Sequence, residues 1–168
     1  MLHRRTTLGL LLVGASGVAH AQQPRVERLD LMEAGPFTAK LTGQAPAPGT
    51  PTGRSDTLAD VVFDTAAARV PGKLGVQFGI RFSVVGAPAN IAVSLREVWR
   101  LPPPGARDLA KNQTYLETSY EFPARIGESV VRGYGFDNAW EIVPGEWTIE
   151  IWEGARNMFT RHFTVSAP

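Results

Sequence analysis

Beyond residue 20 this chain has a single histidine, His162, so acid–base chemistry at neutral pH has few places to live. A Ser-His-Asp relay would have to pass through it, and no nucleophile-elbow motif appears anywhere in the sequence. Glu150 and Glu141 form a nominal carboxylate pair of the kind that cleaves glycosides, but glutamates on the solvent face of strands are common and carry little information. Asp56, Asp60 and Asp64 recur every four residues. On a strand that spacing keeps them on one face yet too far apart to share an ion, and no calcium-loop motif surrounds them, so they read as solvated carboxylates. No glycine-rich phosphate loop leads into a helix. The chain has no cysteine, which removes disulfides, thiol catalysis and thiolate metal sites together. The reading is therefore a protein that is not an enzyme, with no metal centre and no cofactor. What remains is aromatic: Trp152, Trp99 and Tyr134 are possible platforms for a ligand.

The elements that must position these residues are strands. Glu146, Thr148 and Glu150 alternate with Trp147, Ile149 and Ile151, a period of two that marks a half-buried strand. Pro144-Gly145 ahead of it supplies turn chemistry. Antiparallel partners share a face, so the returning strand must match its apolar residues to that set. A three-residue loop Gly154-Ala155-Arg156, or a five-residue loop of the same register, pairs Ile151 with Phe159 and Trp147 with Phe163. Arg161 then falls opposite Ile149, its stem packing and its head escaping. The outward face combines Glu146, Thr148, Glu150 and Trp152 with Met158, Thr160, His162 and Thr164. Two readings of Trp152 stand: cover by another segment, such as the loop after Pro102 or the N-terminal arm, or a recognition surface of Trp152 and Met158 rimmed by His162 and Glu150.

Upstream, Val26 to Thr42 reads as an opening strand broken at Ala34-Gly35-Pro36. Gly43 to Thr57 is rich in Pro and Gly and almost free of large apolar residues, so it reads as a long surface loop. A short strand spans Asp60 to Thr65. Leu74 to Val84 alternates most cleanly, with Leu74, Val76, Phe78, Ile80, Phe82 and Val84 on the core face. Ile91, Val93 and Leu95 begin a strand that ends near Leu101, and Trp99 shares their parity, which predicts partial burial. After the Pro102–Gly105 stop come strands at Tyr115 to Phe122 and Val130 to Phe136. Gly133 and Gly135 leave bare backbone on one face of the latter, open to a covering aromatic or to a ligand. Trp140 is expected to plug the end of the core.

The start is expected to lie outside the fold. Arg4 and Arg5, the apolar run Leu8 to Val18 and Ala19-His20-Ala21 have the layout of a signal peptide cleaved after Ala21. The apolar run is too short to span a bilayer as a helix. The 147 residues from Gln22 onward suit one domain, 22–168. With Arg4 and Arg5 gone, the 17 basic residues become 15 against 16 acidic ones, a net charge of −1 that argues against nucleic acid as a partner. Periplasmic or secreted localisation follows, with no stable membrane span after cleavage.

Short strands, turn signals about every ten residues and no credible helix after the leader predict an all-β antiparallel sandwich of about seven to nine strands. Ile142-x-Pro144-Gly145-x-Trp147 resembles the corner that opens a late strand in immunoglobulin-like domains. There the usual residue is tyrosine, whose hydroxyl bonds to the main chain; Trp147 would have to use its indole N–H. The longer pattern Tyr134-Gly135-Phe136, Trp140-Glu141-x-Val143-Pro144-Gly145-x-Trp147 and Phe163-Thr164-Val165 resembles a bacterial family of small exported proteins known only as a domain of unknown function. That resemblance brings no catalytic or binding residues with it. The functional expectation is a non-catalytic exported module that binds a protein partner or supports an envelope assembly. The alternative is a carbohydrate-binding module using surface aromatics; the binding candidates are Trp152, Met158, His162, Glu150, Trp99 and Tyr134.

Overall fold

The computed structural model describes residues 24–168; the expected leader and the Gln22 terminus lie outside the described residues. In chain order the strands are β1 (Arg25–Pro46), β2 (Arg54–Phe63), β3 (Gln77–Ala87), β4 (Ala92–Arg100), β5 (Ala106–Asp108), β6 (Gln113–Tyr115), β7 (Glu117–Arg125), β8 (Ser129–Gly135), β9 (Gly145–Glu153) and β10 (Arg156–Val165), with one 3₁₀ turn at Ala139–Glu141. Two four-stranded antiparallel sheets, ordered β2-β1-β3-β8 and β10-β9-β4-β7, face each other, and β5 and β6 form a small ribbon beside them.

Alternation decides what lies between the sheets. Phe78, Ile80, Phe82 and Val84 of β3 meet Leu95 and Trp99 of β4 and Trp147, Ile149 and Ile151 of β9 in one buried cluster. Its centre is aromatic: Phe78 meets Trp99 edge-on at 5.2 Å and Trp147 at 5.7 Å, and Tyr134 meets Trp147 at 5.0 Å. Such tilted and edge-to-face pairs add to the simple burial of area. The corner before β9 closes as its residues imply, with the Trp147 indole N–H donating to the Val143 carbonyl at 2.7 Å.

The β9–β10 register is the expected one: Ile151 pairs with Phe159, Ile149 with Arg161 and Trp147 with Phe163. The loop is not. The turn holds only Gly154 and Ala155, and the register shifts between Asn157 and Phe159, so the odd residue sits in a β-bulge at Met158. The Asn157 side chain accepts the Phe159 N–H at 3.0 Å and holds the bulge. Trp152 is therefore opposite Asn157, and Met158 packs against the core instead of beside Trp152.

Three other expectations change. Gly43 to Thr57 is not a loop: β1 and β2 pair through it as a hairpin whose tip is only Ala47–Gly53. Leu74 precedes its strand and is 53 % exposed, because Gly75 turns the chain at φ 78° before β3 starts. Leu116, within the strand expected over Tyr115 to Phe122, lies ahead of β7 and is exposed.

Candidate functional site

The β1–β2 hairpin does not simply extend the first sheet. β1 pairs with β3 up to Phe37 and then with β2 alone, so its second half is free to leave the sandwich. Gly35-Pro36 marks the departure. The Phe37 ring comes down on the bare backbone of Gly133 in β8, where an added Cβ would lie 2.7 Å from the ring; the strand glycine is covered by an aromatic of the same chain. Arg81 of β3 donates to the Val61 carbonyl at 2.8 Å while pairing with Glu33 at 2.5 Å. At the tip, the Ser119 N–H of β7 donates to the Gly49 carbonyl at 3.2 Å, and the Lys111 ammonium to the Pro51 carbonyl. The hairpin is thus a strap, anchored on the first sheet and seated by its tip on the edge of the second.

Beneath it lies a cavity of about 410 Å³. Thr50, Arg54 and Asp56 line it from the strap, Gln77 and Gly135 from the first sheet, and Glu97, Trp99, Thr118, Arg132, Tyr134 and Glu141 from the seam between the sheets. The seam is unusually polar for an interior. Glu97 of β4 and Arg132 of β8 form an ion pair across the two sheets, with side chains 6 % and 15 % exposed. The guanidinium also lies 4.5 Å from the centre of the Phe122 ring and 5.3 Å from that of Tyr120. Glu141 is almost fully enclosed and accepts from the Asn138 N–H at 2.7 Å, the Asn138 side chain at 3.2 Å and the Tyr134 hydroxyl at 3.2 Å. Burial still pushes the Glu141 carboxyl above its ordinary value, against the pull of those three donors. Burial, then the nearby Glu141 charge, pushes the Tyr134 phenol up as well. Asp137 is raised by burial and by the charge of Asp56 on the strap, with Arg54 pulling the other way. One polar atom of the seam has no partner: the buried Trp99 indole N–H.

A second surface is the outer face of β9 and β4. Trp152 is half-buried there: its N–H donates to Glu150 at 2.9 Å, and the Arg96 guanidinium of β4 lies 5.5 Å from its ring centre. Glu150 also takes Arg100 at 3.0 Å, and Arg100 reaches Glu117 at 2.5 Å. Burial disfavours the Glu150 carboxylate, but hydrogen bonds from Arg100 and Trp152 and the charges of Arg100 and Arg96 outweigh it and hold Glu150 below its ordinary value. His162 lies on the same face, exposed, with Nδ1 3.0 Å from the Thr148 hydroxyl and 3.5 Å from Glu146. Both neighbours converge on the same ring nitrogen, so this trio is not a relay, which needs a partner on each nitrogen.

The six expected binding residues therefore divide. Trp152, Glu150 and His162 share the outer face of the second sheet; Met158 packs inward. Trp99 is 1 % exposed, not partly buried as expected, and Tyr134 is buried too, so neither is a surface platform; both instead border the strap cavity from within. Trp140, expected to plug the core end, packs against it and stacks on Tyr115 at 6.1 Å. Glu97, Arg132 and Thr118 were missed. A signal existed: Glu97 falls between Leu95 and Trp99, and Arg132 between Val130 and Tyr134, each a charge at an inward position of an alternating strand. Asp56, Asp60 and Asp64 are exposed, and among the described residues no group of three or more His, Asp or Glu side chains is placed to hold a metal ion. No helix among the described residues is long and apolar enough to cross a membrane.

Two facing antiparallel sheets, an aromatic core between them and an indole-closed corner ahead of β9 define an immunoglobulin-like β-sandwich. The chain is similar to the crystal structure of an immunoglobulin-like protein from Pseudomonas aeruginosa, with a TM-score of 0.53 and 20 % sequence identity over 88 % of this chain and 99 % of that one. At that identity the likeness speaks to the fold alone. No protein-family model matches the chain, so its likeness to the small exported proteins rests on the Tyr134-to-Val165 pattern itself. No curated protein matches it either.

Proposed function

We propose that the protein is a non-catalytic exported module, periplasmic or secreted, that recognises a protein partner or supports an envelope assembly through the outer face of its second sheet. The observation that carries this reading is Trp152: a large aromatic on a solvent face, held in place by Glu150 and Arg96 from its own sheet and only partly buried. Tryptophan and arginine are the residues most enriched where interfaces concentrate their energy, and a pre-set side chain loses little entropy on binding. His162 and Glu146 give the patch a polar rim. The leader pattern at Arg4 to Ala21 supports export, and His162, the single histidine beyond residue 20, with its two neighbours on one nitrogen, supports a non-enzymatic role.

Side-by-side capture from envelope extract by immobilised wild type and Trp152→Ala tests the reading, with denaturant unfolding of both proteins as the control. The expected result is a partner retained by wild type and lost by the variant, with stability changed by less than about 1 kcal/mol. Equal capture by both, or a loss of binding that tracks unfolding, would remove Trp152 from the interface. The carbohydrate alternative in its surface-platform form retains only Trp152 of its three aromatics, since Trp99 and Tyr134 are buried.

A further inference from the structure

We infer that the free edge of β8, beneath the β1–β2 strap, takes up a short, extended, basic segment of a partner protein as an added strand, at a site separate from the Trp152 face. β8 is the last strand of its sheet. At its two ends the Phe136 N–H donates to the Val76 carbonyl and the Val84 N–H to the Glu128 carbonyl, each at 3.0 Å. The register between these bonds is unbroken, so the ladder alternates: Val130, Arg132 and Tyr134 bond with β3. Ser129, Val131, Gly133 and Gly135 turn their N–H and C=O groups the other way. Among the described residues no main-chain group outside that ladder pairs with these four, and all four line the cavity. Gly133 and Gly135 are only partly buried, and a glycine has nothing but main chain to expose.

A row of unpaired edge groups is a template for another strand. The strap shields this one without pairing with it. Phe37 covers the face of Gly133, and Val61 of β2 gives its carbonyl to Arg81. About 410 Å³ stays open between strap and edge, room for a short peptide. Charge then selects the segment. Arg132 is committed to Glu97 and Arg81 to Glu33, and Glu141 is enclosed by its three donors. The charges left to meet an occupant are Arg54 against Asp56, Asp60 and Asp137, all of them exposed on the lining. Asp56 accepts from the neutral amide of Gln44 at 2.8 Å. Asp137 is raised by burial and then by the Asp56 charge, a repulsion that a cation between the two relieves. Lysine or arginine on one face of the segment answers the acids, while its main chain answers the edge.

A display library of short random peptides is selected against the immobilised mature protein, and an enriched peptide is titrated into the ¹⁵N-labelled protein, with putrescine as a cation lacking a peptide main chain. The expected peptides carry Lys or Arg at alternate positions, shift the amides of Val131, Gly133 and Gly135 saturably and slow their hydrogen exchange. Val131→Pro removes one outward N–H from an edge strand, where proline is tolerated, and should abolish binding. Asp56→Asn combined with Asp60→Asn should lower affinity about five- to tenfold, and serves if Val131→Pro does not fold. Asparagine tolerates the left-handed backbone at position 60, where φ is 54°. Enrichment of no peptide, or only of acidic or uncharged ones, would overturn the proposal. So would saturation without slowed exchange at the three amides, an equal response to putrescine, or affinity unchanged in the variants. Slowed exchange of the same amides in the protein alone at rising concentration would give the edge to a second copy instead. Trp152→Ala should leave the peptide titration unchanged, so this site and the partner-binding face fail or survive separately.

Discussion

Trp147 shows how much one side chain can carry. It is fully buried, touches the aromatic core from several sides and closes the corner through Val143. Trp147→Ala should cost about 3–5 kcal/mol in denaturant unfolding, the range for a large aromatic deleted from a core, and a loss below about 1 kcal/mol would contradict its role. Trp147→Phe separates the hydrogen bond from most of the packing; leaving the Val143 carbonyl unpaired should account for about 1–3 kcal/mol of its loss. Two glutamates give pH dependences of opposite sign. Glu150 is held below its ordinary value of 4.5, so its contribution is complete above that pH and is lost as pH falls through the lower folded value. Glu150→Gln should therefore destabilise most near neutrality and least in acid. Glu141 is raised above 4.5, so the folded protein takes up its proton first and the penalty of the buried charge is relieved as pH falls through the raised value. Wild type should gain on Glu141→Gln between neutrality and the ordinary carboxylate range. Urea unfolding of each variant beside wild type across that range measures both signs.

Among the elements, the strap and the β4–β8 seam respond to different kinds of change. The strap tip meets the second sheet through backbone, and a Cβ on Gly49 would lie 2.0 Å from the Ser119 carbonyl oxygen, a contact that only displacement relieves. Gly49→Ala should therefore unseat the tip while leaving the shared core untouched. The expected signature is faster hydrogen exchange at the Ser119 amide and easier proteolysis within Ala47–Gly53, with global stability reduced by less than about 1 kcal/mol. A large drop in global stability would mean that the strap belongs to the cooperative core. At the seam, Glu97 and Arg132 reach across the sandwich from inward positions. Arg132→Met alone strands a buried carboxylate and should cost about 3–5 kcal/mol, whereas adding Glu97→Leu should recover much of the loss. Equal stability of the single and double variants would show that the Glu97 carboxylate left alone carries no penalty.

At the scale of the whole molecule, the two sheets hold one buried cluster in common, so neither keeps its core when the other opens. Denaturant unfolding should then be one transition, with tryptophan fluorescence and far-ultraviolet circular dichroism coinciding. Two separated midpoints would show sheets that unfold independently. The export proposal is checked by intact mass: the exported species should begin at Gln22, allowing for cyclisation of that glutamine, and retention of Leu8 to Val18 would overturn it.

The sandwich and the pairing of Trp147 with Phe163 were legible because both follow from local alternation and from parity, which counts residues without knowing where they go. Parity survived even the wrong loop: a two-residue turn with a bulge at Met158 shifts the register as a three-residue loop would. It could not say which residue is the extra one, so Met158 was set beside Trp152 when its side chain turns inward. The strap was illegible for a physical reason. Its strands run through Gly43–Thr57, where main-chain hydrogen bonds to a neighbouring strand hold the chain and almost no apolar period marks it. Glu97 and Arg132 each announced a charge at an inward position, but strand alternation does not reveal which residue of the facing sheet answers it. Residue type and spacing determined which faces are buried. Only the packing of one sheet on the other, and the return of the strap across their edge, placed Glu97, Arg132 and Thr118 around a single cavity.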